Sequence, residues 1–264
     1  MPSTFWATQP VDDRVGVVAP GGVGGDGLPD PLRFAAFDPS TAADLERLRA
    51  LLAEHYVEDG ETGFRLEYGR ELLAWALGGA GQERDWCVAV EDGGGRMGGF
   101  VFAAPARVSI DGWTREAVMV NYLCVRSDLR GMGLGPILIR EVTRRVVARG
   151  RSCAIFSTAA RLPMEPLAAC RYLCRFLRPS ELVASGWVAR PDYLTPGQFE
   201  RIHELPEPAV ALRRMTEADL PEVTALFDRR TSAVRLQLTA AELRHALVGA
   251  PAGVVETWVT EDGA

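Results

Sequence analysis

The stretch that decides the fold of this chain is VNYLCVRSDLRGMGLGPILIR, residues 120–140. It predicts an apolar strand over residues 118–125, a short glycine-rich turn, and a helix from about Pro136. Glycine lets the backbone approach a phosphate closely, and the first amides of a helix point outward with the positive end of its dipole behind them. Because proline suits the opening of a helix, the stretch predicts a phosphate-binding loop between a strand and a helix.

The spacing within this turn narrows the kind of phosphate ligand. Residues 130–135, RGMGLG, have the spacing R-x-x-G-x-G. This spacing resembles the acyl-CoA pyrophosphate loop of the GCN5-related acyltransferase superfamily. A lone G-x-G would be weak support, but its place between a strand and a helix strengthens the interpretation.

Composition excludes several broad classes of function. The chain has 264 residues, 47% of them hydrophobic, and a net charge of −6, which disfavours a general nucleic-acid surface. It contains no apolar run long enough to cross a bilayer and no signal-peptide pattern, so we expect a cytoplasmic protein without integral membrane association. The Cys170 and Cys174 pair lies far from any of the three histidines, which disfavours structural zinc and favours reduced thiols. Cys87, Cys124 and Cys153 are expected in buried strands.

The rest of the chain alternates helical and strand patterns after an irregular beginning at residues 1–33. The leucine spacing and a capping Ser40 or Thr41 predict a first helix, and Gly78 ends a second. The predicted helices cover residues 42–55 and 70–77, and the predicted strands cover residues 86–90, 97–104 and 154–158.

The opening of this pattern recurs near the end of the chain. The motif T-x-A-D-L at residues 41–45 returns at residues 216–220, and the segment after Trp86 has a weaker echo after Trp258. Shared leucine spacing of two amphipathic helices explains part of the match, but not the capping threonine and the order of elements. We therefore predict one whole lobe at residues 1–208 and the incomplete start of a second at 209–264. The alternative is a lone domain followed by an unrelated tail.

Short sequence segments along the chain resemble those of the glycylpeptide N-tetradecanoyltransferase family, also called protein N-myristoyltransferases. They occur in family order at residues 5–11 (FWATQPV), 55–59 (HYVED), 64–68 (FRLEY), 72–77 (LLAWAL), 121–125 (NYLCV), 138–146 (LIREVTRRV), 170–172 (CRY) and 204–207 (ELPE). The resemblance implies an α/β (α+β) fold of tandem acyl-CoA N-acyltransferase lobes. Each lobe would have a mixed sheet flanked by helices, with the second lobe truncated.

The resemblance also implies a reaction, transfer of myristate from myristoyl-CoA to the N-terminal glycine of peptides and nascent proteins. The family forms its oxyanion hole from two backbone amides, here those of Tyr122 and Leu123, which must be freed from the sheet ladder, as at a bulge. Asn121 and Thr158 match the groups that hold the glycine amine. Myristoyl-CoA is a co-substrate, and no metal or other cofactor is implied.

Binding residues are carried over by position in the same way. The CoA and acyl path would be lined by Thr4, Phe5, Trp6, Tyr122, Leu123, Cys124 and Val125, with Arg130, Gly131, Gly133, Leu134 and Gly135 forming the phosphate cradle. The peptide or acyl groove would be lined by Tyr56, Val57, Phe64, Leu66, Tyr68 and Tyr172.

Two departures from the family pattern matter for function. The loop here has Gly131 and Gly133 where the family carries basic residues, with only Arg126 and Arg130 nearby and Asp128 opposing phosphate. The family's catalytic base is the C-terminal carboxylate of a complete second lobe, and the sequence assigns no base here.

Three interpretations therefore stand. The first is an N-myristoyltransferase, expected as a monomer. The second is a single-lobe acetyltransferase-like enzyme that uses a shorter acyl-CoA. The third is a truncated, non-catalytic acyl-CoA-binding remnant.

Overall fold

The computed structural model describes residues 27–57, 63–158, 166–171, 173, 175–206, 210–229 and 232–260. Its main feature is a mixed sheet in which five strands lie in chain order and a sixth pairs with the third. The strands of this sheet are β1 (Arg33–Ala35), β2 (Cys87–Glu91), β3 (Met97–Ile110), β4 (Trp113–Val125), β5 (Ala154–Ile155) and β7 (Val234–Leu236). Pairing is antiparallel except between β4 and β5, which run parallel.

Seven helices occur in the described part of the chain. They are α1 (Ala42–His55), α2 (Arg70–Leu77), α3 (Leu134–Ala148), α4 (Pro179–Ala184), α5 (Pro196–His203), α6 (Leu220–Arg229) and α7 (Ala240–Leu247). The predicted bounds of α1 and α2 are confirmed. Thr41 caps α1 by accepting a hydrogen bond from the Asp44 amide at 3.3 Å. No helix in these residues has the length and apolarity to span a membrane.

Side chains on the two faces of the sheet form two separate cores. Because neighbouring residues of a strand face opposite ways, Phe100 and Phe102 of β3 pack toward α1 and α2. Val101 and Ala103 face the opposite side, where they meet α3 through buried residues such as Leu138. Helix α3, which follows the glycine-rich loop, therefore packs on one face of the sheet, and α1 and α2 pack on the other.

The central hairpin is longer than the sequence predicted. The alternating pattern located strands at residues 97–104 and 118–125, whereas β3 and β4 continue to a turn at Asp111 and Gly112. Polar residues such as Arg107 and Glu116 obscured this extension, although they form an ion pair across the strands at 2.7 Å. The predicted strand 154–158 is shorter, since β5 ends at Ile155, and α3 begins at Leu134 rather than Pro136.

The later part of the chain is attached to the first sheet. Strand β7 pairs with the end of β3, where Val108 lies opposite Leu236. Trp75 of α2 and His245 of α7 exchange two hydrogen bonds of 2.9 Å and stack with ring centroids 5.6 Å apart. A second, two-stranded sheet joins β6 (Arg213–Arg214) to β8 (Trp258–Val259).

The two copies of the predicted repeat, at residues 41–45 and 216–220, each have a threonine just before a helix. The motif at residues 216–220 forms a capping box between Thr216 and Asp219 and leads into α6, as Thr41 leads into α1. The division at residues 208 and 209 stays a prediction, and residues 207–209 lie outside the described residues.

Cysteine burial follows the sequence expectation in part. Cys87 and Cys124 are buried, Cys153 is half-buried and Cys170 is exposed. Burial raises the pKa of Cys87 and of Cys124 to about 12, so both remain protonated thiols at neutral pH. Cys174 lies outside the described residues. Within them, no group of three or more His, Cys, Asp or Glu residues could hold a metal ion.

Candidate active site

A β-bulge interrupts β4 at the two residues predicted to donate backbone amides. Phe100 pairs with Cys124 and Phe102 pairs with Asn121, so Tyr122 and Leu123 together lie opposite the single residue Val101. Tyr122 has a φ of 56°, in the left-handed region. A bulge of this kind removes residues from the regular ladder and re-aims their backbone groups.

The bulge also reverses which side chains of β4 face which core. Before it, Val118 and Val120 belong to the core beneath α3. After it, Leu123 and Val125 face that core instead, while Tyr122 packs against the core beneath α1 and α2. The extra residue thus carries the Tyr122 ring to the aromatic face of the sheet.

The neighbouring strand diverges close to this point. The parallel pairing of β4 with β5 ends at Met119 and Ile155, whereas β4 continues to Val125. Backbone groups of β4 beyond Met119 therefore extend past the end of the β5 ladder, next to the bulge. An acyl chain or a peptide backbone can approach β4 only where such a ladder stops.

Three tyrosines surround the bulge on the α1 and α2 face. The ring of Tyr122 lies 5.5 Å from that of Tyr68, edge to face, and 6.3 Å from that of Tyr56. Tyr56 and Tyr68 contact each other at 5.9 Å, and Phe102 lies 6.3 Å from Tyr122. The sequence predicted the three tyrosines as site residues, and the structure brings them together.

Burial makes these phenols poor acids. It raises the pKa of Tyr122 to about 12 and raises the pKa of Tyr56 and of Tyr68. A hydrogen bond with the Tyr122 backbone acts in the opposite direction on the pKa of Tyr56. The Tyr122 backbone therefore faces the Tyr56 hydroxyl, on the side where the aromatic rings gather.

The glycine-rich loop has the backbone geometry of an anion cradle. Gly131 and Gly133 have φ values of 86° and 76°, and an added Cβ at either would meet no atom within 4 Å. Gly133 is the N-cap of α3, whose 15 residues align their dipole behind the loop. Pro136 donates no amide, so Leu134 and Gly135 offer the first helix amides to a ligand.

The two nearby arginines are engaged within the protein. Arg126 is buried and binds Asp92 at 2.8 Å and Asp128 at 2.7 Å. This pairing offsets part of the negative charge of Asp128, which sequence reasoning placed in opposition to phosphate, because Arg126 is shared with Asp92. Arg130 donates to the Val125 carbonyl at 3.2 Å and to the His55 carbonyl. It therefore ties the end of α1 to the end of β4.

Replacing Arg126 with Met is expected to lower the free energy of unfolding and to raise the pKa of Asp92. The hydrogen bond from Arg126 is the largest cause that holds the pKa of Asp92 below its usual range. Because the folded pKa is lowered, ionised Asp92 stabilises the fold at pH values above the usual pKa of an aspartate. This contribution is lost as the pH falls through the folded pKa of Asp92. A carboxyl NMR titration measures the change, with exposed Arg144→Met as the matched control. An unchanged Asp92 pKa would contradict the assignment.

His55 links the end of α1 to the loop through a second contact. Its Nδ1 lies 3.1 Å from Ser127 Oγ, and its Nε2 lies 3.4 Å from the Glu54 carboxylate. Burial is the main cause that lowers the pKa of His55, with Arg130 adding to it and Glu54 opposing it. Neutral imidazole is therefore the form that the folded state favours.

Stability is expected to fall as pH decreases from about 7.5 to about 5.5, partly through His55. Its folded pKa is depressed, so below about 6.5 the unfolded chain binds more protons at this residue. Urea unfolding of the wild type and of His55→Asn across this range measures the component, because the two proteins differ only at this residue. Equal pH slopes for the two proteins would sink the assignment.

The remaining predicted residues occupy different environments. Asn121 is exposed on β4, and Thr158 is exposed beyond β5. The side chains of Cys124 and Leu134 are buried in the two cores, so contact with a ligand would involve their backbones. Val57 and Leu66 are exposed, at 70% and 66%. Residues predicted from the family but outside the described residues are Thr4, Phe5, Trp6 and Tyr172.

Sequence reasoning missed two aromatic residues near the predicted groove. Trp187 packs edge to face on Phe64 with ring centroids 5.0 Å apart, and Phe102 contacts Tyr122. Phe102 belongs to a strand whose alternation was recognised, so its face could have been deduced. Trp187 lies 123 positions from Phe64 in the sequence, and no local pattern connects them.

Comparisons with known proteins identify the family of this chain. The family model described as the N-terminal domain of myristoyl-CoA:protein N-myristoyltransferase matches residues 25–170. The glycylpeptide N-tetradecanoyltransferase of Eremothecium gossypii is 35% identical over 262 residues, covering 93% of this chain and 58% of that protein. The probable enzyme of that name from Caenorhabditis elegans is 33% identical, covering 98% of this chain and 61% of its own length.

A solved structure extends the similarity to the backbone. The crystal structure of Saccharomyces cerevisiae N-myristoyltransferase with bound myristoyl-CoA superposes with a TM-score of 0.87 at 28% identity. The match covers 98% of this chain and 66% of the yeast chain.

The matched domain is the N-terminal domain of myristoyl-CoA:protein N-myristoyltransferase, and the fold is shared with the yeast N-myristoyltransferase. This chain belongs to the protein N-myristoyltransferase family. It spans about three-fifths of the length of the curated relatives described above.

Proposed function

We propose that this chain transfers myristate from myristoyl-CoA to the N-terminal glycine amine of peptides and nascent proteins. The observation that carries the proposal is the β-bulge at Tyr122 and Leu123. The bulge takes these two residues out of regular pairing with β3, in the part of β4 beyond its last pair with β5, and the same strand leads into the glycine-rich loop. A loop that binds pyrophosphate would thus hold the thioester near donors suited to an oxyanion.

The proposed reaction follows from the chemistry of a thioester. The neutral glycine amine attacks the thioester carbonyl, a C–N bond forms, the C–S bond breaks, and CoA leaves as a thiolate. The proton lost by the amine passes through solvent to that thiolate, so the products are the amide and the CoA thiol. The amides of Tyr122 and Leu123 stabilise the developing oxyanion, and each such donor contributes about 10²–10³ in turnover. Asn121 and Thr158 are proposed to hold the amine. The reaction needs no metal or further cofactor.

The phosphate site would act mainly through its backbone. Arg126 is shared between Asp92 and Asp128 and so offers no spare charge to a phosphate, which leaves the α3 dipole and the outward amides of Leu134 and Gly135 to attract it. We infer a cytoplasmic, monomeric enzyme with no nucleic-acid partner, since nascent proteins are made in that compartment and the chain is acidic.

The test mixes the purified chain with myristoyl-CoA and a peptide that begins with glycine, and follows both binding and CoA release. A peptide that begins with alanine is the substrate control, and acetyl-CoA is the donor control. The proposal predicts an N-myristoyl peptide from the first mixture alone. Binding without release would indicate an acyl-CoA-binding module, and preference for acetyl-CoA would indicate a short-chain acyltransferase.

The loop assignment has a matched pair of variants. Gly133→Ala and Gly150→Ala both place a Cβ at a positive φ, 76° and 80°, with no atom within 4 Å. The conformational strain is therefore similar, about 1–2 kcal/mol. Only Gly133→Ala is expected to weaken myristoyl-CoA binding, by about tenfold or more, because its methyl group would stand at the phosphate cradle. Equal affinities for the two variants in calorimetry would contradict the cradle.

A further inference from the structure

Tyr122 holds a backbone conformation that tyrosine rarely adopts. Its φ of 56° lies in the region where the Cβ of an L-residue crowds the following carbonyl. The other described non-glycine residue with a positive φ is Asp111, in the hairpin turn beside Gly112, where aspartate tolerates such a conformation. Tyr122 lies inside a strand instead. A strained residue persists only where its surroundings determine its conformation.

The surroundings of Tyr122 are three aromatic rings from three separate elements. Tyr68 precedes α2 and meets the ring edge to face at 85°, the closest of the contacts at 5.5 Å. Tyr56, the C-cap of α1, and Phe102 of β3 each lie 6.3 Å away. Edge-to-face aromatic pairs are favourable beyond the area that they bury. The ring of Tyr122 is therefore held from several sides.

These contacts are coupled to the backbone by the bulge. If the strand were regular at this point, residue 122 would face the α3 core as Val118 and Val120 do. The ring can stay among Tyr56, Tyr68 and Phe102 only while the bulge persists. Contacts that fix the position of the Tyr122 ring therefore also fix the peptide group that precedes Tyr122.

We propose that Tyr68, supported by Tyr56, is a positioning residue that holds Tyr122 in the left-handed conformation and so aims its amide out of the β3 ladder. The catalytic consequence rests on the proposed function, whereas the conformational consequence does not. A simple groove wall would behave differently, because its loss would raise the KM for the peptide and leave the bulge unchanged.

The conformational test is NMR on Tyr68→Ala, with Tyr193→Ala as the matched control because Tyr193 is 83% exposed. The HN–Hα coupling and backbone shifts of residue 122 report its φ. We expect the left-handed values in the wild type and in Tyr193→Ala, and their loss in Tyr68→Ala. Left-handed values retained in a folded Tyr68→Ala protein would overturn the proposal.

The kinetic test is a double-mutant cycle with Tyr122→Gly, since glycine adopts positive φ without a steric penalty. Tyr68→Ala is expected to slow single-turnover acyl transfer by about tenfold or more in the wild type, yet by less than about threefold in Tyr122→Gly. If Tyr68→Ala slows transfer by the same factor in the wild type and in Tyr122→Gly, or changes only the KM for the peptide, Tyr68 does not position Tyr122. If the wild type transfers no acyl group, the proposed function fails, and the NMR result alone decides the positioning.

Discussion

Exchange of the Tyr122 backbone amide for an ester is expected to slow acyl transfer by about 10²–10³-fold. The substitution, made by incorporating p-hydroxyphenyllactic acid at this position, keeps the side chain, removes the N–H donor and weakens the Asn121 carbonyl as an acceptor. The amide lies in the bulge, outside the regular pairing of Phe100 with Cys124 and of Phe102 with Asn121. Its loss breaks no bond of the regular β3 ladder but does remove the hydrogen bond with the Tyr56 hydroxyl, so the free energy of unfolding of the ester is measured beside its rate of transfer.

The measurement is single-turnover transfer together with the Kd for myristoyl-CoA. The same ester at exposed Tyr193 is the control for the backbone change itself. We expect a Kd within about threefold of the wild type for both proteins, because an oxyanion donor acts mainly on the transition state. A Tyr122 ester that transfers acyl groups at the wild-type rate would show that this amide is not a donor.

Replacing Leu138 with Ala is expected to lower the free energy of unfolding by about 2–5 kcal/mol. Leu138 is fully buried between α3 and β3. It also limits the opposite strand, since a Cβ added to Gly99 would lie 2.9 Å from Leu138 Cδ1 and 3.3 Å from Leu134 Cδ2. Gly99→Ala alone is therefore expected to cost about 1–3 kcal/mol through overpacking.

The two changes should partly compensate each other. Leu138→Ala removes the methyl group that Gly99→Ala would strike, so the double variant should lose less stability than the sum of the single variants. Gly197→Ala in α5 is the control, because no atom lies within 4 Å of its added Cβ and alanine favours a helix. Denaturant unfolding measures all four variants, and strict additivity would contradict the packing described here.

Local pattern predicted the first helices and the loop because their signals lie within a few residues. The leucines of α1 recur at helical spacing after Thr41, and all four are buried. The Gly131 and Gly133 turn needed no tertiary information, since positive φ and helix capping are local properties. The site residues that lie together around Tyr122 came from the family resemblance, because spacing alone does not reveal which loops meet.

Other features depend on contacts between distant parts of the chain. Pairing between β7 and β3 brings Leu236 opposite Val108, and neither segment has a pattern that selects the other. Arg126 could be read as a phosphate ligand in the sequence, but Asp92 on the preceding hairpin binds it instead. Ion pairs of this kind depend on tertiary position rather than on sequence spacing.

Amide NMR on the protein bound to a non-hydrolysable thioether analogue of myristoyl-CoA shows whether one ligand contacts both the bulge and the glycine-rich loop. We expect the largest shift changes at Tyr122 and Leu123 and at the loop from Gly131 to Gly135. These changes would show that one ligand reaches both the bulge and the cradle. Saturating analogue that leaves both segments unshifted, or shifts only residues elsewhere, would contradict the proposed function.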